Sequence, residues 1–300
     1  MNAGHTLGEA VEAAEQGFLQ AGLSFGHGSA SAYDEAAYLV LHTLHLPLYD
    51  LESVWKKQLT EAQQSAVASV IHRRIGERIP AAYLTGEAWL GPHRFYIDSR
   101  ALVPRSFIAE LLEEDLSPWV ADPHAIGSVL DLCTGSGCLA IIAALTFPNA
   151  NIDAADLSAD ALAVAQRNVD DYAMNGRVRL VESDMFAALA AKKYDLIVCN
   201  PPYVTASSMA ALPQEYRHEP EMALASGNDG LDHIRTLLSE APKHLHQGGL
   251  LVVEAGFNRA GVEAAFPAMP FIWAEVSAGD DIVFMLTREE LLSARMRSPG

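Results

Sequence analysis

The chain predicts an α/β protein: a seven-stranded, mostly parallel sheet with helices on both faces, preceded by a small helical bundle and a linking β-hairpin. Three observations carry the prediction. From Ser128 onward, short apolar runs alternate with helical segments, the pattern of parallel strands joined by crossover helices. Residues 1–80 instead repeat their apolar positions at helical spacing. Between them, residues 83–98 alternate apolar and polar positions around Gly91-Pro92.

The elements follow in order. Thr6-Leu7-Gly8-Glu9 has capping-box spacing, and Leu7, Val11, Ala14 and Phe18 then share one helical face up to a stop at Gly22. A second helix is expected from Asp34 to His45, before Pro47. A third opens at Thr60-Glu61-Ala62-Gln63, places Val67, Val70, Ile71 and Ile75 in a stripe, and ends near Pro80. Residues 1–80 therefore form a helical domain and 81–104 a hairpin linker; the segment ALVPRSFIAELLEEDL turns at Pro104 into a helix that opens a domain of residues 105–300. In that domain SVLDLC, NIDAADLS, VRLVESD, YDLIVCN and GLLVVEAG read as strands, with helices at CLAIIAALTF, ADALAVAQRNVDDY and GLDHIRTLLSEAPKHL. FIWAEVSAG and DIVFMLTRE are expected to close the chain as a strand pair with one antiparallel member.

Composition narrows the function. Half of the residues are hydrophobic and 19% are charged, so a packed core is expected. The formal net charge of -18 repels a phosphate backbone, argues against stable nucleic-acid binding and suits a basic protein partner. The three cysteines, Cys133, Cys138 and Cys199, are odd in number and read as small apolar wall residues in a reducing, cytoplasmic compartment. The first sixteen residues lack a basic start and an apolar run, so no leader is expected, and no run of about 18 apolar residues predicts a membrane span.

In open parallel sheets ligands bind beyond the carboxyl ends of the strands. After the first predicted strand comes Asp131-Leu132-Cys133-Thr134-Gly135-Ser136-Gly137, whose glycines allow close approach of a ligand to backbone. The third glycine of a dinucleotide fingerprint is absent, its place taken by Ala140. Asp156 ends the second strand at the distance from the glycines where an acid reaches ribose hydroxyls. Asp184 ends the third, with Met185 and Phe186 beside it: an acceptor for an amino group and apolar surface for a flat base. Asn200-Pro201-Pro202-Tyr203 ends the fourth. Each signal alone is ordinary loop chemistry; their order over four successive strand ends is not.

The two prolines fix φ and donate no hydrogen bonds, so the backbone carbonyls of this loop are held as acceptors. A substrate –NH₂ group can donate to the Asn200 side-chain oxygen and to the Pro201 carbonyl, with the Tyr203 ring against its plane. The loop thus reads as a holder that presents a planar nitrogen to an electrophile.

With these motifs the sequence resembles the class I S-adenosylmethionine-dependent methyltransferases, and more narrowly the glutamine methyltransferases of the HemK family. The likeness covers nearly the whole chain and includes DLCTGSGCLAI, NPPYV and EYRHEPEMALASGNDGLD. ALVPRSFIAELL looks like the branch that modifies large-subunit ribosomal protein three, because the release-factor branch has a Pro-Arg-Pro segment ending in Thr-Glu there. The resemblance implies a Rossmann-like methyltransferase sheet, a substrate-recognising helical domain, S-adenosyl-L-methionine as cofactor and that basic ribosomal protein as partner. It implies that Asp131 and the turn Cys133–Gly137 hold the methionine part, Asp156 the ribose and Asp184 the adenine amino group, with Met185 and Phe186 beside the base. Asn200, Pro201, Pro202 and Tyr203 would hold the glutamine, with Asn200 also reaching the cofactor. The expected reaction is an in-line methyl displacement without metal or covalent enzyme intermediate. Its rivals are the same chemistry on the GGQ motif of release factors, an adenine-amino DNA methyltransferase, and a noncatalytic ribosome-assembly factor.

Other residues invite weaker readings. His42 and His45, and His244 and His246, read as surface histidines without a third ligand at metal-binding spacing. Arg73, Arg74 and Arg78 read as a solvated helix face. Glu215, His218, Glu219 and Asp229 are expected to flank the pocket, their acids receiving a basic substrate loop.

Overall fold

A computed structural model describes residues 6–189 and 192–297, so residues 1–5 of the stretch read as carrying no leader lie outside the described residues. Among those described, no helix is long and apolar enough to cross a membrane.

The first helices are α1 (Leu7–Ala21), α2 (Ala32–Thr43), α3 (Leu51–Val54), α4 (Glu61–Gly76) and α5 (Ala81–Thr85). Complete capping boxes start α1 and α4, from Thr6 with Glu9 and Thr60 with Gln63. Ser31 caps α2 by accepting from Asp34 N, which starts that helix two residues before the expected Asp34. Leu7, Val11, Ala14 and Phe18 are buried with Leu39, Val40, Val67 and Ile71 in one core. Residues 83–85, read as strand, instead finish α5, which Gly86 ends in the left-handed conformation. The hairpin is β1 (Glu87–Leu90) and β2 (His93–Tyr96), joined through Gly91-Pro92.

After α6 (Ile108–Glu113) the sheet begins. Its strands are β3 (Ser128–Leu132), β4 (Asn151–Asp156), β5 (Val178–Glu182), β6 (Tyr194–Cys199), β7 (Leu245–Glu254), β8 (Ile272–Val276) and β9 (Gly279–Thr287). Helices α7 (Cys138–Thr146), α8 (Ala159–Asp171), α9 (Ala206–Met209), α10 (Asp232–His244) and α11 (Arg259–Ala265) connect them. The strand order is β5-β4-β3-β6-β7-β9-β8. All neighbours up to β7 run parallel; β9 is antiparallel to both β7 and β8. The antiparallel member therefore sits inside the edge rather than at it.

Each central strand is buried on both faces. Val129, Ile152, Leu196, Val198 and Val252 join the core under α6 and α7, while Leu130, Leu132, Ile197, Cys199 and Val253 join the core under α10. The chain travels outward from β3 to β5 and returns to lay β6 beside β3. That reversal opens a crevice beyond the carboxyl ends of β3 and β6.

Two readings are corrected. The chain does not close on a strand pair: α12 (Arg288–Arg297) follows, started by Thr287 and Glu290 in reciprocal capping-box bonds. Arg74 is not on a solvated face. It is fully buried, donating to Glu35 at 2.6 Å and to Glu215 at 3.4 Å, while Arg73 beside it stays half exposed. At 100° per residue, neighbouring arginines cannot share an environment on an amphipathic helix.

Candidate active site

The crevice is walled by four strand ends and two loops. The turn after β3 gives Leu132 to Ser136; the ends of β4, β5 and β6 give Asp156, then Asp184 with Met185, then Asn200 with Pro202. Residues 100–106, the end of the linker together with the first residues after it and counted with it, close one side and Pro220, Met222 and Ala223 another, around about 980 Å³ that includes the open mouth.

The expected residues divide into those at the surface of this crevice and those behind it. Asp131 is fully buried beneath the turn. Its Oδ2 accepts from the Thr134 hydroxyl and from Ala140 N, so it ties the turn to the start of α7, and burial raises its carboxyl to about 7. Gly137 packs against Ala165. Cys133, Thr134, Gly135 and Ser136 face the crevice. Asp156 accepts from Gly135 N at 2.8 Å and from Ser158 N at 2.9 Å, which leaves a lone pair on each oxygen for a hydroxyl donor. Burial raises its carboxyl above the ordinary range.

Phe186 is corrected: it points behind the crevice and stacks on His244, with ring centroids 4.7 Å apart. His244 is accordingly buried rather than at the surface. Pro201 and Tyr203 also stand behind the crevice rather than on its wall. The Tyr203 ring lies on Gly256, where an added Cβ would come within 2.7 Å, and its hydroxyl donates to Glu254 at 3.4 Å. It braces the clamp from behind instead of offering a face to the substrate.

Asn200 is half-buried on the wall, and its carboxamide bonds to no other described residue. The loop is fixed by Pro201 and by His233, which itself lines the crevice, lies against the Pro202 carbonyl and stands 2.9 Å through Nδ1 from Ser226 Oγ. Burial lowers the His233 pKa, so its ring is neutral at pH 7.

The acids of the 215–229 segment do not receive a substrate loop. Glu215 is buried against Arg74, Arg78 and Ser24 N. Glu219 grips Arg105 with both oxygens, at 2.6 and 2.8 Å, and accepts from Val103 N. Asp229 pairs with Arg235, and His218 contacts the Glu77 carbonyl. Glu215, His218 and Glu219 fasten the helical bundle and linker to the loop that carries Pro220 and Met222, while Asp229 stays with α10.

Sequence reasoning missed Arg105, Ser106, His233 and Glu254. For Glu254 one signal existed, a lone acid ending the apolar run LLVVE; the partners of Arg105 and Ser106 lie far along the chain, at Glu219 and Glu254.

The donor set suits an S-adenosylmethionine-sized cofactor: apolar walls at Leu132, Leu139, Leu157 and Met185, and carboxylates at Asp156 and Asp184 where hydroxyl and amino donors would sit. Comparison with known proteins points the same way. The methyltransferase small domain family matches residues 110–261, and the PrmC N-terminal domain family matches residues 18–86. The chain is 56% identical over 293 residues to the ribosomal protein uL3 glutamine methyltransferase of Burkholderia pseudomallei, covering 95% of each. It is 52% identical over 286 residues to that of Bordetella pertussis, covering 95% of this chain and 96% of the relative. Among solved structures, the hMettl16 catalytic domain in complex with a MAT2A 3'UTR hairpin aligns with a TM-score of 0.50 at 14% identity, over 76% of this chain and 81% of that one. At that identity the likeness speaks for the fold alone.

Proposed function

This chain belongs to the family of ribosomal protein uL3 glutamine methyltransferases, and from that membership we propose that it methylates the side-chain amide nitrogen of a glutamine in uL3, with S-adenosyl-L-methionine as donor, in the cytoplasm. One observation carries the reading at the level of the site: Asn200 presents a carboxamide with no partner of its own at the end of β6. A planar amide is the group such a carboxamide pairs with, each offering a donor and an acceptor.

The bound cofactor supplies a methyl group already activated on a sulfonium. The residues do the remaining work. Gly135, Asp156 and Asp184 line the cofactor's side of the crevice, and Asn200 holds the glutamine amide, its side-chain oxygen accepting one hydrogen of the –NH₂. An amide nitrogen is a weak nucleophile, so what the site contributes is alignment and exclusion of water. The linker over residues 100–106 closes the crevice against solvent. His233 lines the crevice with its ring turned to Ser226 and Pro202, and Glu254 lies behind Tyr203, so neither is free to take the amide proton. The proton therefore leaves to water after the methyl is in place.

The test is Asn200→Ala in the full-length protein. Methyl transfer to purified uL3, followed by mass spectrometry, should fall at least about 100-fold, the range for loss of an aligning group, while cofactor affinity stays within about threefold. Retained turnover would remove the clamp from the mechanism. Release factor assayed in parallel distinguishes the substrate branch.

A further inference from the structure

Glu254 ends β7 with 1% of its surface exposed. Its carboxyl touches two segments that do not otherwise meet through hydrogen bonds. Oε2 accepts from the Ser106 hydroxyl at 2.7 Å and from Phe107 N at 2.9 Å; Oε1 accepts from the Tyr203 hydroxyl at 3.4 Å. We propose that Glu254 is a positioning residue that couples the linker wall of the crevice to the amide clamp, so that the seating of Ser106 and Phe107 sets the position of Tyr203 and, through the rigid Pro-Pro backbone, of Asn200. The inference rests on the reading of Asn200 to Tyr203 as the amide holder.

Three features make the coupling stiff. Tyr203 cannot retreat, because its ring already lies on the Gly256 backbone. The linker has little freedom of its own, because Glu219 holds Val103 N and both arms of Arg105, and the segment that carries Glu219 is pinned to the bundle where Glu215 meets Arg74. An apolar side chain could fill the place of Glu254 without the desolvation cost of a carboxyl group. What only the carboxyl supplies is a pair of acceptor oxygens fixed in one plane, one for each segment. A docked substrate that shifts the linker would thus be felt at the clamp.

The experiment is a double-mutant cycle on Ser106→Ala and Tyr203→Phe, read as single-turnover methyl transfer to uL3 together with cofactor affinity and thermal midpoint. Each single change should lower the rate about tenfold with cofactor affinity unchanged, and the double should lower it about tenfold as well, because both loosen one shared carboxyl. Glu254→Gln, which keeps one acceptor and can donate to the tyrosine oxygen, should restore most of the rate that Glu254→Ala loses. A second readout needs no activity: fluorotyrosine placed at position 203 should change its fluorine resonance in Ser106→Ala, although no hydrogen bond joins the two side chains. Losses that multiply to about 100-fold with an unmoved resonance overturn the proposal. A resonance that moves in a protein unable to methylate glutamine supports the coupling and sinks the clamp reading; one that stays put in a fully active protein sinks the coupling alone.

Discussion

Asn168 and Asn200 show what a carboxamide does when the fold needs it and when it does not. Asn168 is buried and fully engaged: its oxygen accepts from Tyr96 N, and its nitrogen donates to the Tyr96 and Ser136 carbonyls. It ties α8 to the hairpin and to the cofactor-side turn. Asn200 has the same chemistry and no partner, which is the mark of a group kept for a ligand. The brace behind it can be probed at Gly256. Its φ of +60° strains any side chain, and an added Cβ would strike the Tyr203 ring. Gly248 has a φ of +74° but open space around it. Alanine at either position should cost about 1–2 kcal/mol of stability for the left-handed backbone. Only Gly256→Ala should also lower turnover, by tenfold or more on the order of a misplaced aligning group. Chemical denaturation and single-turnover rates on both variants check the pair. Asn200 was legible in the sequence because its neighbours are prolines, whose effect on backbone is local. Glu254 was not, because the meaning of a buried acid depends on donors about 50 and 150 residues away, beyond the reach of any local rule.

At the scale of elements, α2 and α4 are joined by a buried ion pair rather than by apolar contact alone. Arg74 and Glu35 are each about 1% exposed in their side chains. Burial pushes the Glu35 pKa up, and Arg74 is the main group opposing it. Arg74→Ala should therefore destabilise the protein by about 3–5 kcal/mol, the range for stranding one member of a buried pair, while Arg73→Ala beside it should fall within about 0.5 kcal/mol. Urea unfolding of the two variants tests the contrast. The helix itself was readable from its capping box, but the burial of Arg74 was not, because the apolar stripe names the centre of the buried face and not its edge. The opposite lesson comes from α12. Thr287 and Glu290 carry the same capping spacing as Thr6 with Glu9, and apolar strand character up to Leu286 masked it.

The molecule as a whole is fastened through Glu219, where the bundle's His27, the linker's Arg105 and the loop before Pro220 meet. Burial raises the Glu219 pKa, but the neighbouring His27 and the bidentate Arg105 outweigh it and hold the carboxyl at about 2, below its ordinary 4.5. A depressed acid adds stability that is present above 4.5 and lost as pH falls through the folded value. The gap in stability between the native chain and Glu219→Gln should thus be roughly 3 kcal/mol at pH 7 and close between pH 4.5 and about 2. Glu254 and Asp131 act in the other direction. Burial raises them to about 6 and about 7, so their contribution is complete below their ordinary values and fades as pH rises through those points. Unfolding followed across pH separates the acid-side term from these two.

The sequence by itself determined the succession of strands along the chain, the three long helices between them and the series of residues at their carboxyl ends. Periodicity, caps and prolines act over a few residues, and parallel crossovers carry successive strand ends to one edge. Only the tertiary structure decided which of those residues face the crevice, which stand behind it, and that the acids expected to meet a substrate instead clamp the bundle to the linker. A side chain's role in this second sense is set by groups that chain folding brings near from far along the sequence. Desolvation then forces every buried charge among them to find a partner.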